Sequence, residues 1–221
     1  MDNKEQPLNL DDITFPSAPW HLKGRMFQSI SLIDIKAARQ FVPKNMKILT
    51  VSPGKTVGGV CLASYMSSST LIYNELAIIC AFTMYANKIG AWISHIYVDN
   101  LSSLKSGPEM WGLPKELGRF AWDGNEGDAM SVMQGGNDLC SVICSKPMIH
   151  LNFPVLVPTF GSVGGDIRWF RGKGKMDLGL ARAKINIPRN SPFSCLNLDN
   201  HLIAIVADQV DMTYDNIQVI G

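Results

Sequence analysis

An excess of charge of one sign is missing from this 221-residue sequence, which carries 20 Lys and Arg against 19 Asp and Glu, a formal net charge of +1. That balance argues against nucleic acid or an anionic membrane as the main partner, since both require a concentrated basic face. Metal-ligand patterns are equally scarce. The five cysteines (Cys61, Cys80, Cys140, Cys144 and Cys195) are odd in number and form no C-x-x-C pair, and the histidines His21, His95, His150 and His201 are scattered. No metal site is expected, and free thiols suit a reducing compartment. Long apolar runs are also lacking. The longest, LAIICAFTMYA at 76–86, is too short to span a bilayer. The N-terminus is acidic and polar where a secretory leader needs a basic and then apolar run. A soluble, cytoplasmic protein without a membrane span is expected.

Helical periodicity is rare. SLIDIKAARQFVP (31–43) is the best candidate, with Asp34 as cap, Ile35, Ala38, Phe41 and Val42 on one face, and Pro43 as the stop. SSLKSGPEMWGL, interrupted by Gly107 and Pro108, reads as a loop with one short helical turn. Strand patterns fill the rest. TVGGVCLASYM (56–66) and LIYNELAIICAFTMY (71–85) flank the turn-rich SSST and predict a long hairpin. AWISHIYVDN and some half-dozen further short apolar runs follow, separated by Gly, Asn, Asp or Pro. RWFRGKGK, with Arg168, Arg171, Lys173 and Lys175, predicts a solvated hairpin tip rather than a phosphate site. Residues 1–12 are polar and expected to be flexible, and 13–221 to form one domain with 46% hydrophobic residues to fill its core. The fold class is therefore α+β, mostly antiparallel β in a sandwich or barrel, with a few short helices.

Three polar residues do not fit their apolar surroundings. Glu75 shares a strand face with Tyr73, Ala77 and Ile79, while Ile72, Leu76 and Ile78 occupy the other. Either the strand stops at Tyr73 and Glu75 lies at a rim, or a carboxylate faces a cavity, where isolation from water perturbs it. His95, in WISHIYVD, suits a hydrogen-bonded core position or a place in a site. Lys115 follows Pro114 among Met110, Trp111, Leu113, Leu117 and Phe120. Its stem can cover the core while the amine reaches water, or the amine can be held dry.

The order of these elements carries a resemblance. YNEL, then YVDN, then S-x-x-S-G-P-E-M-W-G-L-P-K resembles the signature run of the acetoacetate decarboxylase-like superfamily, over about residues 70 to 120. APWHLKGRMF followed by a short helix agrees more loosely. The resemblance implies a barrel-like α+β fold around a closed apolar cavity, often in homo-oligomers. It places Lys115 on the family's Schiff-base lysine and Glu75 on the carboxylate of its Y-x-E element. Glu109 falls on the glutamate of its G-R-E segment, and Arg25 near an arginine that holds the substrate carboxylate. Trp111, Leu113 and His95 complete the expected substrate-binding set. No cofactor is implied beyond a covalent imine on Lys115.

This sequence departs from the pattern at three places. Glu116 stands where the decarboxylases carry a second lysine, Pro108 where they carry the arginine of G-R-E, and GGVCLAS lacks their upstream glutamate. The resemblance thus implies a Schiff-base lyase, a decarboxylase of a keto acid or other small carbonyl compound. An aldolase or dehydratase of the same fold, or a non-enzymatic barrel binding an apolar small molecule, are the alternatives.

Overall fold

The computed structural model describes residues 10–123 and 128–221. Residues 1–9, which hold most of the expected flexible segment, lie outside the described residues, and Leu10–Asp12 make one 3-10 turn. The elements run β1 (Trp20–Asp34), α1 (Ile35–Ala38), β2 (Lys47–Ile48), β3 (Lys55–Tyr65), β4 (Tyr73–Tyr85), β5 (Lys88–Val98) and α2 (Leu101–Ser106). A π-helical turn over Gly107–Trp111 follows, then β6 (Lys115–Leu117), β7 (Arg119–Asp123), β8 (Asp128–Gln134) and β9 (Asn137–Cys144). β10 (Leu151–Val163), β11 (Asp166–Ala181), β12 (Ala183–Asn186) and β13 (Ile203–Val219) complete the chain. The protein is mostly strand with a few short helices, as its turn-punctuated apolar runs predict.

Hydrogen bonding passes from β4 through β3, β1, β13, β11 and β10 to β5, and β5 pairs back onto β4. The main sheet therefore runs round a ring of seven strands, with β2 and β6 attached at its margin. β12, β9, β8 and β7 form a second, antiparallel sheet. The main sheet is mixed. β5 runs parallel to both β10 and β6. A parallel neighbour requires a crossover too long for a hairpin, and the segment from Asp99 to Pro114, holding α2 and the π-helical turn, provides the one between β5 and β6. That crossover delivers Lys115 to a register opposite Ile96.

β3 and β4 are buried on both faces along most of their length, which explains runs such as LAIICAF. The outer face packs with α1, the second sheet and the 193–198 turn through Phe27, Leu62, Leu76, Ile78, Val132 and Phe193. The inner face is a separate cluster that includes Trp20, Tyr65, Tyr73, Ile96, Trp111 and Phe170. At roughly 1.5–3 kcal/mol for each large apolar side chain removed from water, both layers contribute to stability.

Three expectations are corrected. β1 continues as strand through Asp34, so residues 31–34 are not helical. Ser31 and Ile33 are buried in β1 by alternation, and pairing with β3 outweighs the weak helical period. The helix shrinks to Ile35–Ala38, although Asp34 still caps it by accepting from the Lys36 amide. RWFRGKGK is not a hairpin tip but the middle of β11, whose turn lies at Gly164 and Gly165. Gly172 is needed there for close approach, because a Cβ would meet the Tyr214 ring at 2.5 Å. The loop expected over SSLKSGPEMWGL is α2 followed directly by the π-helical turn, with Asn100 accepting from the Ser103 amide as N-cap.

Candidate active site

The ring encloses a cavity of about 130 Å³ lined by β1, β3, β4, β5, β10, β11 and β13 together with the Trp111–Lys115 segment. β4 starts at Tyr73, so Glu75 lies inside the strand, two residues on, and shares its cavity-facing side with Tyr73, Ala77 and Ile79. Lys115 opens β6 and is 8% exposed. Its amine does not reach water, because only 3% of the side chain is accessible. Lys115 Nζ lies 3.3 Å from Glu75 Oε2 and donates to Ser103 Oγ at 2.9 Å. The rings of Tyr73 and Trp20 stand 5.1 and 5.6 Å from the same nitrogen.

Local sequence accounts for this placement. The π-helical turn ends at Gly112 in the left-handed region, and the Gly112 carbonyl accepts from the Ser162 amide of β10. Arg168 fixes the same turn by donating to the carbonyls of Glu109 and Met110. Gly107 lies directly against the lysine stem. A Cβ at this position would meet Lys115 Cγ at 2.6 Å and Cβ at 2.8 Å, so a side chain here competes with Lys115 for space.

Burial pulls the Lys115 pKa below the ordinary lysine value, while the Glu75 charge and hydrogen bond pull it back up. Desolvation is the larger effect, as expected for an amine enclosed by aromatic rings. Burial and the Glu75 charge together push the phenols of Tyr65, Tyr73 and Tyr214 up, and the Cys61 thiol with them. Tyr73 hydrogen-bonds both Ser103 and Glu75. A connected polar set of Lys115, Ser103, Tyr73 and Glu75 therefore sits in walls that are mostly apolar. Such a set can hold an amine, move a proton between nitrogen and carboxylate, and exclude bulk water.

Trp111 and Leu113 line the cavity with Lys115 and Glu75. The other expected site residues do not. Arg25 lies on the opposite side of β1 by ordinary alternation, since Trp20, Leu22, Met26 and Gln28 line the cavity, and its guanidinium is 4.5 Å from the centre of the Trp122 ring. His95 faces outward from β5, packed between the rings of Phe41 and Phe193 at 5.0 and 5.4 Å, where burial lowers its pKa. Glu109 is exposed on the π-helical turn, 4.0 Å from Lys105. Glu116, next in the chain to the lysine, alternates outward on β6 and accepts from Gln134 at 2.8 Å.

Ser103, Tyr65 and Tyr214 were not among the expected residues. Ser103 had a signal in the N-x-x-S spacing after YVD, which caps a helix and turns its first-turn side chains inward. Tyr65 and Tyr214 come from distant strands and had none. The cavity-lining Tyr73 shares the Y-x-E element with Glu75.

Comparison with known proteins agrees with this fold. The family model for acetoacetate decarboxylase matches residues 7–143. The chain belongs to the acetoacetate decarboxylase family. NEOXANTHIN-DEFICIENT 1 of Solanum lycopersicum is 30% identical over 113 residues, covering 51% of this chain and 38% of that protein. The chain thus spans about two fifths of the length of the curated relatives it matches. Among solved structures, acetoacetate decarboxylase from Legionella pneumophila superposes with a TM-score of 0.72 at 16% identity, over 99% of this chain and 93% of that one. The enduracididine biosynthesis enzyme MppR complexed with pyruvate gives 0.62 at 14% identity, over 94% and 91%. These two likenesses concern the fold. No described helix is long and apolar enough to cross a membrane.

Proposed function

We propose that this protein is a Schiff-base-forming enzyme that binds a carbonyl compound in the ring cavity and attaches it covalently to Lys115. The observation that carries the reading is the enclosed amine, 3.3 Å from Glu75 and 2.9 Å from Ser103 in an apolar cavity. A lysine of ordinary pKa is neutral in only about one molecule in two thousand at pH 7. Desolvation raises that fraction, and the nucleophile is the neutral amine. The fold is shared with MppR, which has been captured with pyruvate and with a condensation product of pyruvate and an aldehyde.

In this reading Lys115 first passes its ammonium proton to Glu75, and the neutral nitrogen adds to the carbonyl carbon as the carbonyl oxygen takes that proton to become a hydroxyl. Glu75 then takes a second proton from the added nitrogen and returns it to the hydroxyl, water leaves, and a protonated imine remains. The iminium then accepts an electron pair from an adjacent bond. If that bond joins a carboxylate, carbon dioxide leaves and a proton taken up from solvent passes through Glu75 to the resulting enamine carbon. If it is a C–H or C–C bond, the same electron sink supports dehydration or aldol chemistry. Decarboxylation of a keto acid was expected with Arg25 holding the carboxylate. Arg25 stacks on Trp122 outside the cavity, so the geometry supports imine formation more strongly than loss of carbon dioxide.

The test is reductive trapping. Incubation with a panel of ketones, aldehydes and keto acids, followed by borohydride, is expected to leave a mass adduct mapped to Lys115 and absent from Lys115→Ala. Glu75→Gln is expected to form the adduct more slowly and to lose turnover. No adduct with any carbonyl would refute the reading. It would favour a binding protein in which Lys115 and Glu75 serve as a buried ion pair, a role their 3.3 Å separation also suits.

A further inference from the structure

The charges around the cavity carry information about its occupant. Among the lining residues the charged side chains are Lys115 and Glu75, and they face each other. A substrate carboxylate inside a protein needs a cationic partner or several hydrogen-bond donors, because an unpaired buried anion is costly. The cation the sequence suggested, Arg25, is turned away onto Trp122. Lys115 cannot serve as that partner while its nitrogen is joined to the carbonyl carbon and its positive charge is balanced by Glu75.

The hydroxyl donors do not change this balance. Tyr65, Tyr73 and Tyr214 all feel the negative charge of Glu75, and Cys61 feels it as well. They surround a carboxylate that is already present. A second carboxylate among them would meet like charge at short range. Two further polar groups belong to the lining: the Gln28 amide, which donates to the Ser29 carbonyl at 2.6 Å, and the buried Thr159 hydroxyl, a single neutral donor where an unpaired buried carboxylate needs several.

The remaining wall suits an apolar body. Trp20 stacks edge-on to Trp111 at 5.6 Å, and Trp111 continues to Phe170 at 4.9 Å and Tyr214 at 6.4 Å. This aromatic row begins beside the amine, since Lys115 Nζ lies 5.6 Å from the Trp20 ring. Met26 and Met176 extend the lining with flexible, polarizable side chains.

We infer that the ligand of this cavity is an uncharged ketone or aldehyde with an extended apolar body, not a keto acid. The carbonyl sits at Lys115 and the body lies along the Trp20–Trp111–Phe170 row. The inference rests on the imine reading for the position of the carbonyl, but not for the class of ligand. With no carboxylate to lose, the consistent reactions are those that break a C–H or C–C bond beside the iminium.

The test compares 8-oxononanoate with its methyl ester, which differ chiefly in charge, and butanone with 2-nonanone, which differ in body length. Equilibrium binding is read from the fluorescence of Trp20 and Trp111, and imine formation separately by borohydride trapping. The ester is expected to bind at least about tenfold more tightly than the acid, and 2-nonanone more tightly than butanone. In Gln28→Lys, which adds a cation to the wall, the preference of ester over acid is expected to shrink or reverse. If the acid binds as tightly as the ester, or if none of the four binds, the inference is wrong. Tight ester binding without a trapped adduct upholds the ligand class and removes the imine reading. An adduct formed equally well by acid and ester does the reverse.

Discussion

Replacing Lys115 and Glu75 singly and together measures whether the two charges depend on each other. Their side chains are 3% and 13% exposed, and the nitrogen and oxygen are 3.3 Å apart. With an effective dielectric of about 20, Coulomb attraction at that distance is about 5 kcal/mol. Desolvation of both ions opposes it, so the pair as a whole contributes little net stability. Removing one partner leaves the other without compensation. Lys115→Met strands the Glu75 carboxylate among three phenols and is expected to cost about 3 kcal/mol at pH 7, near the low end for a broken buried pair. Glu75→Gln is expected to cost less, because the lysine can release its proton and sit neutral. The double variant Lys115→Met, Glu75→Gln is expected to be close to wild type or more stable. Urea unfolding of the four proteins gives the coupling energy, expected to be at least about 2 kcal/mol. Effects that add to within about 0.5 kcal/mol would mean the charges act independently, and the account of a dry, coupled pair would be refuted.

Reactivity should follow the lowered Lys115 pKa. Borohydride trapping is expected to rise with pH over a range below that of a free lysine, whose pKa is about 10.4. The folded-state value lies below the unfolded one, so the unfolded chain binds more protons between them, and stability rises with pH across that window. Relative to Lys115→Met, the wild type is therefore expected to gain stability as pH increases toward 10, as read by denaturant titration at several pH values. Gly107→Ala is expected to slow trapping at least about tenfold, because the new methyl displaces the lysine stem; an unchanged rate would show that the stem has room. Glu116→Gln is expected to lower the His95 pKa further, since the Glu116 charge is what holds it up against burial, and NMR titration of the imidazole reads the shift. The same substitution is expected to leave trapping at Lys115 unaltered, because Glu116 faces Gln134 on the outer side of β6.

Alternation along strands was legible from residue order alone. It placed Glu75 with Tyr73, Ala77 and Ile79, and the structure finds that set on the cavity wall. It likewise separated Lys115 from Glu116. Arg25 was misplaced because it was carried over from the looser N-terminal part of the family resemblance; β1 alternates regularly, with Trp20, Leu22, Met26 and Gln28 on the cavity wall, which leaves Arg25 on the other face. The helix over 31–43 was overestimated for a different reason: a period of three to four in Ile35, Ala38, Phe41 and Val42 was visible, but the pairing partner that holds 31–34 extended was not. RWFRGKGK read as a turn because glycine commonly marks turns, whereas Gly172 is small to make room for Tyr214, some forty residues away in the chain. Contacts of that range, like those that bring Tyr65 and Tyr214 to Glu75, have no sequence signature of their own.

The seven-stranded ring is closed unevenly. β10 and β11 pair along their whole length, from Leu151 opposite Leu178 to Val163 opposite Asp166. The β5–β10 register, by contrast, is confined to Thr159 opposite Ala91 and Phe160 opposite Trp92. Local opening begins where backbone pairing is sparsest. An opening at this seam would leave the long antiparallel interfaces intact, so exchange of the cavity's contents is expected to follow a local equilibrium rather than global unfolding. A stabilising substitution elsewhere in the ring would then raise the melting temperature and leave the exchange rate as it was.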